Sequence, residues 1–115
     1  RGEIAGMHHG APQLAVGCHT DVLDGCPKAQ GIPILLRAAN PQIIAVDEIT
    51  VVEDLHAMSA AANCGVALLA TIHAADVQEL KRKTMFAKLL KLRVFERAVI
   101  VTRRDGVRRY QVQEL

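Results

Sequence analysis

Apolar positions fall along this chain in short blocks of differing period. Residues 43–46 read Ile-Ile-Ala-Val and run straight into Asp47-Glu48. Four apolar residues without alternation predict a strand covered on both faces. Residues 66–71 repeat the pattern and lead into Thr71-Ile72-His73. Between the two, residues 53–63 place Leu55, Met58 and Ala61/Ala62 at helical spacing. Glu53 and Asp54 suit the N-terminal dipole of that helix, and Cys64-Gly65 supplies its stop. Before the first strand, residues 34–39 predict a short helix with Pro33 in its first turn, ended by Asn40-Pro41.

After the second strand, Asp76 can cap a helix running through Leu80. Thr84 can cap another, with Met85, Phe86, Leu89 and Leu90 as its apolar stripe. The style then changes. Residues 95–104 are strand-like, Asp105-Gly106 is a strong hairpin turn, and residues 107–112 return. Six of the eight glycines lie in the first 31 residues, which predicts a strand end followed by a long looping segment. Strand and helix thus alternate and close on a hairpin. The expected class is α/β, a three-layer domain with a mostly parallel sheet.

Composition narrows this picture. At 115 residues and 50% hydrophobic, the chain is one domain or part of one, and it is not a disordered polymer. It opens Arg1-Gly2-Glu3, without a secretory apolar region or an initiator Met, as expected of a piece of a longer protein. Three cysteines without a C-x-x-C pattern argue against a disulfide scaffold or a zinc knuckle and for reduced thiols. Residues 55–75 carry no Asp, Glu, Lys or Arg, but His56, Ser59, Asn63 and Gly65 interrupt them. A helix followed by a buried strand accounts for that stretch better than a membrane span. Net charge is +2, unevenly spread: residues 1–80 hold 3 Lys/Arg and 9 Asp/Glu, residues 81–115 hold 11 and 3. A basic end on an acidic body either meets something negative or is simply a set of solvated faces.

Ligands of open parallel sheets bind beyond the carboxyl ends of the strands. Here one strand ends in Asp47-Glu48 and the other in Thr71-Ile72-His73. An apolar strand ending in Asp-Glu is the Walker B pattern. The first acid suits a magnesium ion, directly or through water, and the second can activate an attacking water. Two solvated loop carboxylates are the plainer reading of the same six residues. His73 suits a γ-phosphate sensor or an ordinary loop hydrogen bond. His8 and His9 lack a third metal ligand at useful spacing, and His56 reads as surface. No G-x-x-x-x-G-K-[ST] is present, nor any Gly-Lys pair, so the grip on phosphates is not in this chain.

With these residues in view, the chain resembles the stage III sporulation protein AA family. The resemblance rests on RGEIAG at residues 1–6, TDVLDGCPKA at 20–29, Leu35-Leu36-Arg37, IAVDEI at 44–49 and Phe95-Glu96-Arg97. Thr71-Ile72-His73 is similar to the Thr-Leu-His box of the more distant type II and type IV secretion ATPases. The resemblance implies the C-terminal part, residues 1–115, of a RecA-like P-loop ATPase whose P-loop lies upstream. It implies ATP and magnesium as cofactors and a homo-oligomeric ring, a hexamer. Membrane proteins of the sporulation stage III complex are the implied partners. The implied location is cytoplasmic, peripheral to the membrane on the mother-cell side, with no nucleic acid bound. Asp47 would hold magnesium through water, Glu48 would activate water, and His73 with Thr71 would sense the γ-phosphate. Glu3 would face the nucleotide. Arg1, Arg37 or Arg97 would be the arginine finger, with an ordinary salt bridge favoured for Arg97.

Two positions depart from the family pattern: His19 replaces an arginine, and Thr50-Val51-Val52 replaces a Gly-Arg pair. The alternative reading is a non-catalytic interaction module docking through its basic C-terminal region to a membrane complex. A parallel sheet lacking its P-loop strand also exposes a central edge, which predicts self-association of the isolated segment.

Overall fold

The computed structural model describes residues 3–115, so the expectation for Arg1 lies outside the described residues. The chain forms two units, Arg1–Ile72 and His73–Leu115.

The first unit opens with a two-residue hairpin, β1 (Met7–His8) against β2 (Ala11–Pro12), antiparallel. Its turn places His9 and Gly10 at φ 49° and 78°, where glycine is at ease and histidine is tolerated. A looping stretch leads to α1 (Lys28–Ala38), which begins well before the expected residue 34. The Pro27 carbonyl accepts the N–H groups of Gln30 and Gly31 at 2.9 Å, and this starts the first turn. Pro33 therefore lies inside the helix, not in its first turn, and one rung of the hydrogen-bond ladder is missing there. Gly31 is buried, and a Cβ at that position would stand 3.1 Å from Leu23 Cδ2. The absent side chain is what lets the loop lie close on α1.

Three elements follow: β3 (Ile43–Val46), α2 (Val52–Asn63) and β4 (Ala67–Ala70). β3 and β4 pair in parallel, from Ile43↔Ala67 to Val46↔Ala70. α2 stops at Cys64, with Gly65 at φ 83° beyond it, as the sequence pattern predicts. α2 packs on α1 and reaches β4. Ile32, Ile44, Val46, Ile49, Leu55, Met58 and Ala61 form the core, with Leu55 and Met58 sealed from solvent.

The expectation of strands covered on both faces is corrected. Ile44 and Val46 are buried, but on the opposite face Ile43 is 64% exposed and Leu69 56%. α2 packs on both α1 and β4, and the burial pattern puts the cover on one side of the pair. Among the described residues the chain makes three separate two-stranded sheets, of which this one is parallel.

In the second unit, α3 (Val77–Arg82) is capped as expected: Asp76 Oδ1 accepts the Glu79 N–H at 2.7 Å. α4 (Thr84–Lys91) buries Phe86 and Leu89. Thr84 is the first helical residue of α4 and not its cap. Lys83 ends α3 and precedes α4, leaving no residue for a threonine outside the helix. β5 (Arg97–Arg104) and β6 (Val107–Glu114) form an antiparallel hairpin. Asp105 and Gly106 turn it at φ 51° and 78°, both left-handed, which matches the twist of a two-residue turn. No helix among the described residues is long and apolar enough to cross a membrane. Residues 55–75 hold most of α2 and all of β4.

Candidate functional site

Parallel pairing delivers the carboxyl ends of β3 and β4 to one rim of the first unit. Asp47 and Glu48 leave β3 there, and Thr71 leaves β4. Three hydrogen bonds stitch the two exits together. The Thr71 N–H donates to the Val46 carbonyl at 3.0 Å, and the Ile49 N–H donates to the Thr71 carbonyl at 3.2 Å. The Glu48 N–H donates to Thr71 Oγ1 at 2.9 Å.

Glu48 sits at φ 37°, a left-handed conformation in which a glutamate pays for its Cβ. The Thr71 hydroxyl is the side-chain partner that steadies this turn. Asp47 is tied differently: its Oδ1 accepts the Ile4 N–H at 3.2 Å. That bond draws the start of the chain onto the rim. A carboxylate oxygen of Glu3 comes within 4.8 Å of one from Glu48. Glu3 is exposed and Glu48 half-buried.

Among the described residues neither Asp47 nor Glu48 is in an ion pair; the pairs are Lys83–Glu79 and Arg97–Glu114. Glu3 and Glu48 thus bring two carboxylates together on this rim. Like charges this close repel, and a hard divalent cation relieves the repulsion. Carboxylate oxygens suit magnesium, manganese or calcium and do not suit soft metals.

Each of the remaining predicted residues has its own setting. His73 is the first residue of the second unit, two beyond Thr71 along the chain, and exposed. Arg37 lies near the end of α1, where its Nε donates to the Pro33 carbonyl at 3.2 Å. It lines an open groove with Asn40, Pro41, Cys64 and Val66, residues that precede β3 and β4. Arg37 therefore marks the amino ends of the strands, across the unit from Asp47 and Glu48. Arg97 forms an exposed ion pair with Glu114 at 2.9 Å. The hydrogen bond to Glu114, with its charge, raises the Arg97 pKa further. His56 is exposed on α2, as predicted.

The sequence pattern under-read one acid. Asp54, assigned to the helix dipole, is only 3% exposed, and its Oδ2 has no hydrogen-bond partner. The spacing held a signal: Asp54 lies four residues before Met58 and seven before Ala61, on the inward stripe of α2.

Comparison with known proteins adds an independent line. The family described as "Sporulation stage III, protein AA" matches residues 1–112. Stage III sporulation protein AA of Bacillus subtilis (strain 168) is 36% identical over 106 residues, 92% of this chain and 34% of that protein. The chain thus spans about a third of that relative's length. No solved structure gives a significant match.

Proposed function

The chain belongs to the sporulation stage III protein AA family, and on that premise we propose that it is the Walker B and sensor part of a nucleotide-hydrolysing ring motor that serves sporulation. The observation that carries this reading is the rim itself. Asp47 and Glu48 leave one parallel strand beside Thr71 of the next, and a Glu3 carboxylate oxygen lies within 4.8 Å of Glu48.

Magnesium and ATP fit this donor set. Asp47 would hold the ion through water, and the ion would supply charge neutralisation at the phosphates. Each side chain then has a distinct task. The Asp47 carboxylate is aligned by the Ile4 N–H at Oδ1, and the same carboxylate would be the group that holds the ion. Glu48 accepts a proton from the attacking water at its carboxylate. Thr71 fixes the backbone that aims Glu48, through the hydrogen bond of 2.9 Å. His73 reports the terminal phosphate to the segment that follows it. Arg37, at the amino ends of the strands, acts across a ring interface on a neighbour's nucleotide. The three-layer RecA-like arrangement, the hexamer, the membrane partners and the mother-cell location complete the reading.

The phosphate grip lies in no residue of this chain. The 115-residue chain is therefore expected to show no magnesium-dependent ATP hydrolysis, whereas a chain extended upstream through its P-loop hydrolyses ATP. In that extended protein Glu48→Gln is expected to lower kcat by about 10²–10⁴-fold while ATP binding persists. An extended chain with a complete P-loop that neither binds nor hydrolyses ATP overturns the motor reading, as does a fully active Glu48→Gln variant.

A further inference from the structure

The β5–β6 register sorts the hairpin into two unlike faces. Residues directly opposite in an antiparallel pair share a face. Val99↔Val112 and Val101↔Tyr110 therefore stand side by side, and Arg103↔Arg108 continues the same face toward the turn. All four of Val99, Val101, Tyr110 and Val112 are more than half exposed. On the other face Ala98, Ile100 and Gln113 are half-buried. The hairpin thus turns its more apolar face to solvent.

Arg103, Arg104, Arg108 and Arg109 crowd the tip, with Asp105 as the acid between them. Among the described residues none of these four arginines is in an ion pair. An apolar patch with a cationic end is the pattern of a surface that meets an anionic interface.

We propose that this face of β5–β6 seats on an anionic lipid bilayer, with the three valines and the Tyr110 ring at the acyl boundary and the arginines on the headgroup phosphates. Two observations select lipid over other occupants. The face presents eight side chains, Arg97↔Glu114 through Arg103↔Arg108, where a stable protein interface gathers about 20–30 residues a side. A single-stranded nucleic acid wants stacked aromatics, and this face offers one ring among valines. Aliphatic side chains suit acyl chains, and arginine stems cover apolar surface while their heads reach phosphate. The proposal does not depend on nucleotide chemistry at the β3–β4 rim.

Tyr110 makes the test direct. It is the one tyrosine of a chain without tryptophan, so intrinsic fluorescence reports this face alone. The 115-residue chain is mixed with phosphatidylcholine vesicles with or without about one-third phosphatidylglycerol, some carrying bromine on the acyl chains. The expected result is flotation with the anionic vesicles only, quenching of Tyr110 by bromine, and loss of both at high salt. Arg103→Gln with Arg108→Gln is expected to weaken binding about 25-fold, roughly fivefold for each charge. Val99→Thr with Val112→Thr keeps the charge and the strand preference, and is expected to reduce quenching. Should the arginine variant fail to fold, the salt series and the threonine variant still decide the matter. Four results overturn the proposal: no flotation, flotation with Tyr110 unquenched, lipid-free dimers that bury Tyr110, or an oligonucleotide that displaces the vesicles at equal salt.

Discussion

Replacing Thr71 with valine removes one oxygen and little else, and it isolates the bond that couples the two strand exits. In the native chain the Glu48 N–H donates to Thr71 Oγ1 at 2.9 Å, across 23 residues of sequence. Valine keeps the β-branched shape and cannot accept that bond. A net hydrogen bond contributes about 0.5–1.5 kcal/mol, and a donor left dry costs more. Glu48 is half-buried, so water reaches part of the released N–H and the lower end applies. A loss of about 0.5–1 kcal/mol is expected. With a urea slope of about 1.5 kcal/mol/M, the midpoint falls by roughly 0.3–0.7 M. A second effect follows from the backbone. Glu48 holds φ at 37°, a conformation that costs a side-chain-bearing residue about 1–2 kcal/mol. Freed of its anchor, this turn relaxes, and the Glu48 amide loses its protection against hydrogen exchange. Thr71→Ser retains the oxygen and should retain both properties. A valine variant with an unchanged midpoint and an unchanged Glu48 exchange rate, or a serine variant equally weakened, refutes the argument.

Two further outcomes follow from other parts of the chain. Met58, sealed in the core of the first unit, is expected to cost about 2–5 kcal/mol when replaced by alanine, read as a fall in the thermal unfolding midpoint. Glu79 accepts the Ala75 N–H at 2.6 Å and pairs with Lys83, and these two bonds, the first foremost, lower its pKa. The unfolded chain therefore takes up that proton before the folded one does. The contribution to α3 is full above about pH 4.3 and is lost as acid carries the pH down through the folded value. Protection factors for the α3 amides, corrected for the intrinsic slowing of exchange in acid, should fall in that window, and Glu79→Gln should remove that fall.

Much of the local structure was legible in the pattern of residues. Cys64-Gly65 marks the end of α2, Asp76 caps α3, and Asp105-Gly106 turns the last hairpin, because each depends on chemistry within a few residues. What failed to show was set by backbone bonds and packing that residue period does not encode. Pro33 reads as a helix start, yet the Pro27 carbonyl opens α1 a turn and a half earlier. Four apolar residues in a row read as doubly covered, but period alone does not say where the helices lie, and Ile43 stands exposed. At the rim, the pairing of Asp47-Glu48 with Thr71 follows from parallel strands, which the apolar runs suggest. The bond from Ile4 to Asp47, which brings Glu3 alongside, spans 43 residues and leaves no trace in spacing. Asp54 does sit in the first turn of α2, as its charge suggests, and what went unread is its place on the inward stripe.

The left-handed glutamate at the end of β3 sets stability and chemistry against each other at a single codon. Glycine or asparagine would occupy that backbone more comfortably, and selection for heat tolerance alone would drift toward them. The carboxylate there is held against the preference of its own main chain, so a library sorted first by melting temperature would discard this side chain early.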